Sequence, residues 1–367
     1  MTVCRSNEFR SRRAVLARVS TWLLATWLAG APIGRATATA EAHRIPAIAS
    51  PAGGAPAEAR ATRASIEIDG DATAPVFLIP STNPFGLSDV GAYAAPGFVD
   101  VDGDGDLDAF VGNSAGEVRF FRNTGTPTSP AFASPSLQPF GLHVVTYDAV
   151  PRFEDIDGDG DFDAFLGSEY GDVVFFRNTG SASSPAFLDA GFNPLGITNV
   201  GDYSSPALGD IDGDGDLDLL VGSSSGDSFF FGNTGTSSSP AFAAGPTNPF
   251  GMSNVTAFAA PTLVDLDGDG DLDALVWNEA GDSLFFANTG AAASPAFASP
   301  ASNRFGLTNV GGSGVAAFAD IDGDGDLDAF VGNAAGQIVF FRNLTAQLLF
   351  EDGFESGDTS AWTITTP

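Results

Sequence analysis

This chain of 367 residues contains no lysine, a single cysteine and two histidines. The cysteine, Cys4, lies at the extreme N-terminus, so the rest of the chain can form neither a disulfide nor a thiolate metal site. Arginine supplies all of the positive charge, and nine of the 15 arginines precede Ala64. The formal net charge of −31 argues against binding of nucleic acid or of an anionic membrane. After residue 40, no apolar run approaches the roughly 20 residues that a membrane span requires.

Apolar residues are abundant in spite of this charge. Hydrophobic residues make up 43% of the chain and phenylalanine alone occupies 32 positions, whereas disordered acidic chains contain few residues of this kind. The apolar residues come in short runs, such as Leu107 to Val111, which turn residues separate, and no helical period is visible. The sequence therefore predicts a folded core that is all-β.

A nine-residue acidic segment, from Asp100 to Asp108, returns four more times at intervals of 55 residues. Its five carboxylates stand on alternate positions and repel one another, and the chain has too little positive charge to offset them. We therefore predict a bound cation in each segment. The predicted metal ligands are Asp100, Asp102, Asp104, Asp106 and Asp108, then Asp155, Asp157, Asp159, Asp161 and Asp163, then Asp210, Asp212, Asp214, Asp216 and Asp218, then Asp265, Asp267, Asp269, Asp271 and Asp273, and finally Asp320, Asp322, Asp324, Asp326 and Asp328.

The order of residues within the segment suits calcium. Counted from Asp100, carboxylates occupy positions 1, 3, 5 and 9, Asp106 offers its carbonyl from position 7, and Gly105 permits a sharp turn. These are hard oxygen ligands in a flexible loop, which favours calcium over magnesium and excludes structural zinc. An EF-hand would carry Glu at position 12, where Val111 stands here. We predict about one Ca²⁺ per repeat in a turn between strands, with a merely solvated acidic turn as the alternative.

Each repeat offers about four short strands, in the first copy at 95–100, 107–112, 117–123 and 130–134. Phe120 and Phe121 are adjacent, so they point to opposite faces of a strand and both faces must be covered. Five such sheets predict a β-propeller of five four-stranded blades, with a flat solenoid as the alternative. The array begins with the last strand of a blade, so residues 75–79 are predicted to complete the blade that starts at Asp320 and to leave no edge unpaired.

These residues resemble a known family. Phe-Gly, then Ala-Pro, then the acidic segment is similar to the FG-GAP repeat, which is related to the VCBS-type repeats of bacterial secreted proteins and to the calcium-bearing propeller of integrin alpha chains. The resemblance covers residues 71 to about 345. It implies a calcium-stabilised propeller in extracellular adhesion or recognition, with the aspartates named above as ligands. Five copies depart from the seven blades of integrin-like propellers.

The ends of the chain are predicted to lie outside the repeats. Residues 1–40 have a basic start, an apolar run from Val19 to Ile33 and an Ala-Thr-Ala cleavage motif, which indicates an export signal. Residues 41–70 are interpreted as a disordered linker or pro-segment, 71–347 as the repeat domain and 348–367 as a C-terminal tail. The segment around Arg12 and Arg13 also resembles a twin-arginine signal; Sec export is favoured because cytosolic calcium is too low to fill weak sites. We expect a secreted or cell-surface protein, with an N-terminal anchor as the alternative.

The residue types argue against catalysis. The repeats lack lysine and cysteine, and their one histidine, His143, is interpreted as an ordinary polar residue. Because catalysis needs a placed base, nucleophile or open metal site, we predict that the chain is not an enzyme and has no catalytic residue. An extracellular protein or glycan ligand is the expected partner. A calcium-dependent polysaccharide-active enzyme and a structural surface component are the alternatives.

Any ligand would bind at the rim opposite the acidic segments, where the copies differ most. The divergent positions fall in the turns around 113–116 and in the segments before each first strand, and one such series is Tyr93, Asp148, Tyr203, Phe258 and Ser313. Positions that the blade geometry does not need are free to serve a ligand, and they are equally free to drift. Trp277, which replaces a glycine of the other copies, is interpreted as blade packing.

Overall fold

The computed structural model describes residues 37–38, 66–67, 74–291 and 293–344. The chain divides into two units, one of residues 1–70 with 360–367 and one of residues 71–359. In the first unit, β1 (Thr37–Ala38) pairs with β2 (Ile66–Glu67) in antiparallel fashion. Apart from these two strands, the predicted export signal, linker and C-terminal tail lie outside the described residues, and they stay predictions.

The second unit consists of five antiparallel sheets of four strands each, arranged as a β-propeller. The first short strand, β3 (Ser81–Thr82), belongs to the last blade. Blades 1 and 2 contain β4 (Ala95–Val99), β5 (Asp108–Gly112), β6 (Val118–Phe121) and β7 (Ser136–Leu137), then β8 (Val150–Glu154), β9 (Asp163–Gly167), β10 (Val174–Asn178) and β11 (Phe187–Phe192). Blades 3 and 4 contain β12 (Ser204–Gly209), β13 (Asp218–Ser223), β14 (Ser228–Asn233) and β15 (Phe242–Thr247), then β16 (Ala260–Val264), β17 (Asp273–Trp277), β18 (Ser283–Phe286) and β19 (Ala301–Ser302). Blade 5 contains β20 (Val315–Ala319), β21 (Asp328–Gly332), β22 (Ile338–Phe341) and β3. The predicted five-bladed architecture is confirmed.

The first strand of each blade lies beside the axis of the ring. These inner strands, β4, β8, β12, β16 and β20, contact one another in sequence, and β20 contacts β4. Single-turn 3₁₀ segments lie between blades, at Pro84–Gly86, Pro139–Gly141, Pro249–Gly251 and Arg304–Gly306. An acidic segment leaves each inner strand at one end of the axis, and the chain enters each inner strand at the other end. The two ends of the propeller therefore carry different residues.

Both ends of the repeat array meet in blade 5. Val339 and Phe340 of β22 pair with Thr82 and Ser81 of β3, and the Asn83 side chain accepts a hydrogen bond from the Ile338 backbone N–H at 2.8 Å. Closure by an N-terminal strand is as predicted, although the regular strand lies a few residues later than 75–79. Phe77, within the predicted range, forms an isolated bridge to Asn343.

The outer strands differ from the prediction in the first copy. Residues 130–134 were expected to form the fourth strand, but Phe132 forms only an isolated bridge to Asn123, and the regular outer strand is Ser136–Leu137. Pro135 explains part of this difference, because it stands between Phe132 and Ser136 and has no N–H to give to a strand ladder. Blades 2 and 3 have Ala190 and Gly245 at the equivalent position and form outer strands of six residues. The fourth strand is therefore shorter and later than the sequence pattern indicates.

Phenylalanines fill the spaces between blades. Phe121 is fully buried and Phe120 is 8% exposed, so both faces of β6 are covered as predicted. Phe110 of blade 1 packs on Phe153 of blade 2 with 4.4 Å between ring centroids, and Phe98 packs on Phe330 of blade 5 at the same separation. Each buried phenylalanine contributes about 1.5–3 kcal/mol. These two ring contacts join blades 5, 1 and 2, while the equivalent positions of blades 3 and 4 hold leucines, at Leu208, Leu220, Leu263 and Leu275.

Trp277 breaks the small-residue pattern where each second strand meets the next blade. In the other copies a glycine stands here, and at Gly112 a Cβ atom would clash with the carbonyl of Ala149. The Trp277 side chain is fully buried. It is accommodated by Gly314, where an added Cβ would lie 2.5 Å from the indole Cε3 atom. The replacement of Gly by Trp is thus paired with a replacement of Ala by Gly on the neighbouring blade.

We expect Gly314→Ala to destabilise the propeller by about 1–3 kcal/mol, the usual effect of overpacking. The Gly314→Ala change should do less harm in a Trp277→Gly background, since that double variant restores the Gly–Ala pair of Gly112 and Ala149. Urea unfolding of the two single variants and the double variant checks this coupling. Additive effects of the two changes would contradict it.

Candidate metal loops and axial cavity

Each acidic segment forms a turn between the inner strand and the second strand of a blade. Asp100 follows β4 directly and Asp108 is the first residue of β5. The backbone of the turn folds around the first aspartate: Asp100 accepts hydrogen bonds from Gly103 N–H at 2.8 Å and from Gly105 N–H at 3.0 Å. Gly105 has a φ of 92°, which glycine adopts at low cost. The loop is therefore held in a curved conformation by its own first carboxylate.

Three carboxylates converge in every loop. One oxygen from each member of the set lies within 4.8 Å of the others, in groups formed by Asp100, Asp102 and Asp104, by Asp155, Asp157 and Asp159, by Asp210, Asp212 and Asp218, by Asp265, Asp267 and Asp269, and by Asp320, Asp322 and Asp324. The structure thus gathers positions 1, 3 and 5 in four loops and positions 1, 3 and 9 in the third. Side chains at position 7, such as Asp106, are outside these sets; a carbonyl was predicted from this position.

The aspartate at position 9 is buried at the start of the second strand. Asp108 is 2% exposed, and its Oδ1 accepts the Asn123 backbone N–H at 2.7 Å. Burial raises the pKa of Asp108 to about 7. The same bond joins Asp163 to Asn178, Asp218 to Asn233, Asp273 to Asn288 and Asp328 to Asn343. Burial likewise raises the pKa of Asp163, Asp273 and Asp328 to about 7 and that of Asp218 to about 6.

Asn123 and its counterparts were missed as supports of the site, although their recurrence after each aromatic pair was visible. The Asn123 side chain in turn accepts hydrogen bonds from Gly125 and Ala131 N–H groups, both at 3.0 Å. It therefore ties the loop to the turn before the outer strand. This arrangement holds the position-9 carboxylate rigidly.

Buried oxygen atoms test whether a cation fits. Oδ1 of Asp102 and Oδ2 of Asp108 are inaccessible to water and accept no hydrogen bond, and the same holds for Oδ1 of Asp157 and Asp212 and Oδ2 of Asp328. A buried acceptor without a partner is destabilising. Hard carboxylate oxygens turned inward in this way match the ligands of calcium. The residues present therefore fit a Ca²⁺ ion in each loop.

Arginine partly neutralises three of the five loops, which the sequence reasoning did not anticipate. Arg122 forms an ion pair with Asp102 and lies 3.6 Å from Asp104. Equivalent pairs join Arg177 to Asp157 and Asp159 and join Arg342 to Asp322 and Asp324. In blades 3 and 4 the same position holds Gly232 and Ala287. The five loops are thus alike in their ligands and unlike in their surroundings.

A cavity of about 300 Å³ opens on the axis at the end opposite the acidic loops; we call it the axial cavity. Each blade contributes one residue just before its inner strand, and this ring consists of Tyr93, Asp148, Tyr203, Phe258 and Ser313. All five have a positive φ, from 44° to 59°, which is unfavourable for bulky side chains. These are the divergent positions that the sequence marked as candidates for ligand binding.

Two carboxylates face the axial cavity, and both come from the second repeat. Burial and the nearby Glu169 carboxylate raise the pKa of Asp148 to about 6. Tyr203 is 9% exposed and packs edge-on against Phe258 with 5.4 Å between ring centroids. Burial and the Asp148 charge raise the pKa of Tyr203 well above its ordinary value. The wall therefore combines aromatic faces with negative charge.

Arg152 separates this cavity from a second one, of about 200 Å³, at the loop end of the axis. Its guanidinium donates hydrogen bonds to the carbonyls of Pro96, Pro151 and Ala316 at 2.9–3.0 Å. Burial lowers the pKa of Arg152 to about 10 and raises that of Glu154 to about 7. Arg152 thus joins the inner strands of blades 1, 2 and 5 across the axis.

His143 lies away from both cavities, at the surface. Its Nε2 atom is 2.9 Å from Oδ2 of Asp189, and its ring packs edge-on against Phe176. Within the described residues, no helix is long and apolar enough to cross a membrane.

Several solved structures are similar to this chain at low identity. CoXyl43, a GH43 β-xylosidase/α-arabinofuranosidase from a compost microbial metagenome, aligns with a TM-score of 0.46 and 9% identity over 80% of this chain and 98% of its own. The GH43_1 enzyme from Xanthomonas citri complexed with xylose aligns with a TM-score of 0.45 and 11% identity over 80% and 94%. AofleA from Arthrobotrys oligospora gives 0.40 and 10% over 72% and 86%. No curated protein sequence is significantly similar to this chain.

The prediction that the chain is not an enzyme is wrong as an exclusion, because glycoside hydrolases are among the similar solved structures. The prediction assigned the loop carboxylates to metal, and it named Asp148 only as a divergent position without pairing it with Glu169, which the fold brings to the same axial cavity. Neither the fold nor these distant similarities assign an activity.

One family matches the sequence of the repeats themselves. Residues 155–221, 210–276 and 265–331 each match the family described as FG-GAP-like repeat. These ranges contain the acidic loops of blades 2 to 5, with their converging carboxylates. Residues 155–331 are therefore FG-GAP-like repeats within a five-bladed β-propeller.

Proposed function

We propose that this chain is a secreted, calcium-stabilised β-propeller that serves as an extracellular recognition or adhesion module for a protein or glycan. One observation carries the proposal: the end of the axis with the acidic loops repeats the same aspartates and glycines five times, while the ring around the axial cavity holds four residue types at its five positions. A surface that maintains the fold needs repetition. A surface that selects a ligand needs distinct groups at fixed positions, and the ring of Tyr93, Asp148, Tyr203, Phe258 and Ser313 provides them.

The acidic loops are proposed to hold calcium for stability. Bound calcium would neutralise the carboxylates at positions 1, 3, 5 and 9. The first aspartate orders the loop backbone, and the buried position-9 aspartate links the loop to the third strand through Asn123 and its counterparts. None of these groups lines the axial cavity. Calcium is therefore expected to support ligand binding indirectly, through the rigidity of the blades.

Binding of the full chain to glycan and protein arrays in calcium tests the proposal. We expect a defined set of ligands, and we expect Tyr203→Ser to abolish binding to them while Asp104→Ala lowers stability and leaves the ligand preference unchanged. Loss of binding in a stable Asp104→Ala variant would instead locate the ligand at the loops. Absence of any ligand would favour a structural role at the cell surface.

A polysaccharide-active enzyme is the second candidate, and the pair of Asp148 and Glu169 in the axial cavity favours it. Two carboxyl groups are the usual acid and base of glycoside hydrolysis, and a carboxyl with a raised pKa, as Asp148 has at about 6, suits the role of the acid. Release of reducing sugar from plant and microbial polysaccharides distinguishes this candidate. The released sugar should vanish in Asp148→Asn and persist in Glu279→Gln, since Glu279 does not line the cavity.

A further inference from the structure

The charged residues that line the axial cavity are all acidic. Asp148 and Glu169 both line it, and among the described residues of its wall none is basic. Arg152, the nearest axial cation, is hydrogen bonded to three backbone carbonyls and belongs to the second cavity. Asp148 is half-buried, and burial first and the nearby Glu169 carboxylate second destabilise its anionic form. No described residue of the cavity wall therefore supplies a positive charge to offset these two carboxylates.

The aromatic residues are arranged on the other blades of the same ring. Tyr93, Tyr203 and Phe258 come from blades 1, 3 and 4, and they surround the opening together with Asp148 of blade 2. Tyr203 and Phe258 hold each other in an edge-to-face contact. Aromatic faces attract ammonium and guanidinium groups, and the attraction grows when the cation loses water. Carboxylates that face aromatic rings are a typical combination for an organic cation.

From this arrangement we propose that the axial cavity binds the ammonium or guanidinium group of a basic side chain on a protein partner. The proposal rests on the proposed recognition function and names the chemistry of its ligand. A metal ion is a poorer match, because calcium takes six to eight oxygen ligands and the cavity supplies two carboxylates among aromatic rings. A neutral sugar would stack on the rings and would leave the charge of Asp148 and Glu169 uncompensated. A guanidinium group offsets the charge and also uses the rings.

A matched pair of probes tests the proposal with the full chain in calcium. N-acetyl-arginine methylamide carries the cation, and N-acetyl-citrulline methylamide has nearly the same shape without it. We expect the arginine probe to shift tyrosine resonances in an NMR titration and to bind about tenfold or more tightly than the citrulline probe, since hydrogen bonds to charged groups are the stronger ones. Equal binding of the two probes, or no binding of the arginine probe at millimolar concentration, would overturn the proposal.

Variants locate the probe in the cavity. Asp148→Asn removes one charge while keeping the shape, and asparagine tolerates the φ of 48° at this position, so the fold should persist and a thermal melt verifies it. We expect the variant to bind the arginine probe about tenfold more weakly. The control is Glu279→Gln, in the position of blade 4 that Glu169 holds in blade 2, which should bind as the unmodified chain does. A variant Asp148→Asn with unchanged binding would contradict the proposal.

The outcome separates from that of the array experiment. A protein or glycan ligand on the array, together with no binding of the arginine probe at millimolar concentration, would defeat the cation proposal and leave the recognition function standing. Binding of the arginine probe without any array ligand would support the cavity chemistry and count against the broader function.

Discussion

We expect removal of calcium with EGTA to lower the melting temperature of the propeller by more than about ten degrees. A ligand present at about 100 times its Kd stabilises the folded state by about 2.7 kcal/mol per site, and about 1 kcal/mol is worth about 2–4 °C in a domain of this size. Because there are five loops, each with three converging carboxylates, the total stabilisation by calcium is expected to be large. Without calcium these groups repel one another, and buried oxygens such as Oδ2 of Asp108 have no partner. Thermal melts followed by circular dichroism, in calcium and in EGTA, measure the difference.

Two controls separate specific binding from charge screening. Sodium chloride added at the same ionic strength should recover little of the lost stability, because screening acts weakly on buried charges. Asp212→Asn should reduce the calcium effect more than Asp102→Asn, since Arg122 already pairs with Asp102 while blade 3 has Gly232 in the place of that arginine. A melting temperature indifferent to EGTA would remove the metal assignment altogether.

We expect acidification to stabilise the calcium-free propeller, which is the reverse of ordinary acid denaturation. The position-9 carboxyls, Asp108 among them, have a folded-state pKa of about 6 to 7 against an ordinary value of 3.8. A raised carboxyl pKa means that the folded state binds the extra protons, so its destabilising effect is complete above about pH 7 and fades as the pH falls towards 4. We expect the melting temperature in EGTA to rise by several degrees between about pH 8 and pH 5.

Calcium should invert this pH dependence, because protons then compete with the ion for the same oxygens. Melts at matched pH, with and without calcium, check the change of sign.

Carboxyls with lowered pKa, such as Asp227 and Asp282, which accept hydrogen bonds from asparagine side chains, affect stability only below about pH 4. His143 should also add stability as the pH falls, because burial lowers its pKa but a backbone hydrogen bond and Asp189 raise it by more. The variant His143→Gln removes this contribution and serves as the control. A calcium-free melting temperature that falls steadily with acid would contradict the prediction.

Local spacing was sufficient to predict the loops and the blades. The alternating aspartates around Gly105 specify a turn, and the pair Phe120 and Phe121 specifies a strand covered on both faces, because each pattern reports on neighbours within a few positions. For the axial cavity, the sequence indicated the end of the propeller at which a ligand would bind but not which residues form one site. Asp148 meets Tyr203 and Phe258 only after three blades have curved round one axis, and no short-range pattern contains that curvature.

Pairs of compensating residues were hidden for the same reason. Trp277 was interpreted correctly as packing, yet its partner Gly314 could not be identified from one sequence, because the contact crosses from one blade to the next. Arg122 follows the aromatic pair closely, but its ion pair with Asp102 depends on β6 lying two strands from the axis beside the loop. The prediction that the chain is not an enzyme failed for a similar reason. Nothing in the local sequence indicates that Asp148 and Glu169 line the same cavity.

The way the ring closes also determines the order in which the molecule can be completed. Blades 1 to 4 are each built from one continuous stretch of chain, whereas blade 5 joins Asn83 to Ile338, which are 255 positions apart. Such a distant contact carries a large loop-closure entropy and forms slowly. Until β22 has folded, β3 has no strand to pair with, and an unpaired strand promotes aggregation. The last strand to arrive therefore acts as a latch, and the interval before it engages is the time when this protein is most exposed to misassembly with its own copies.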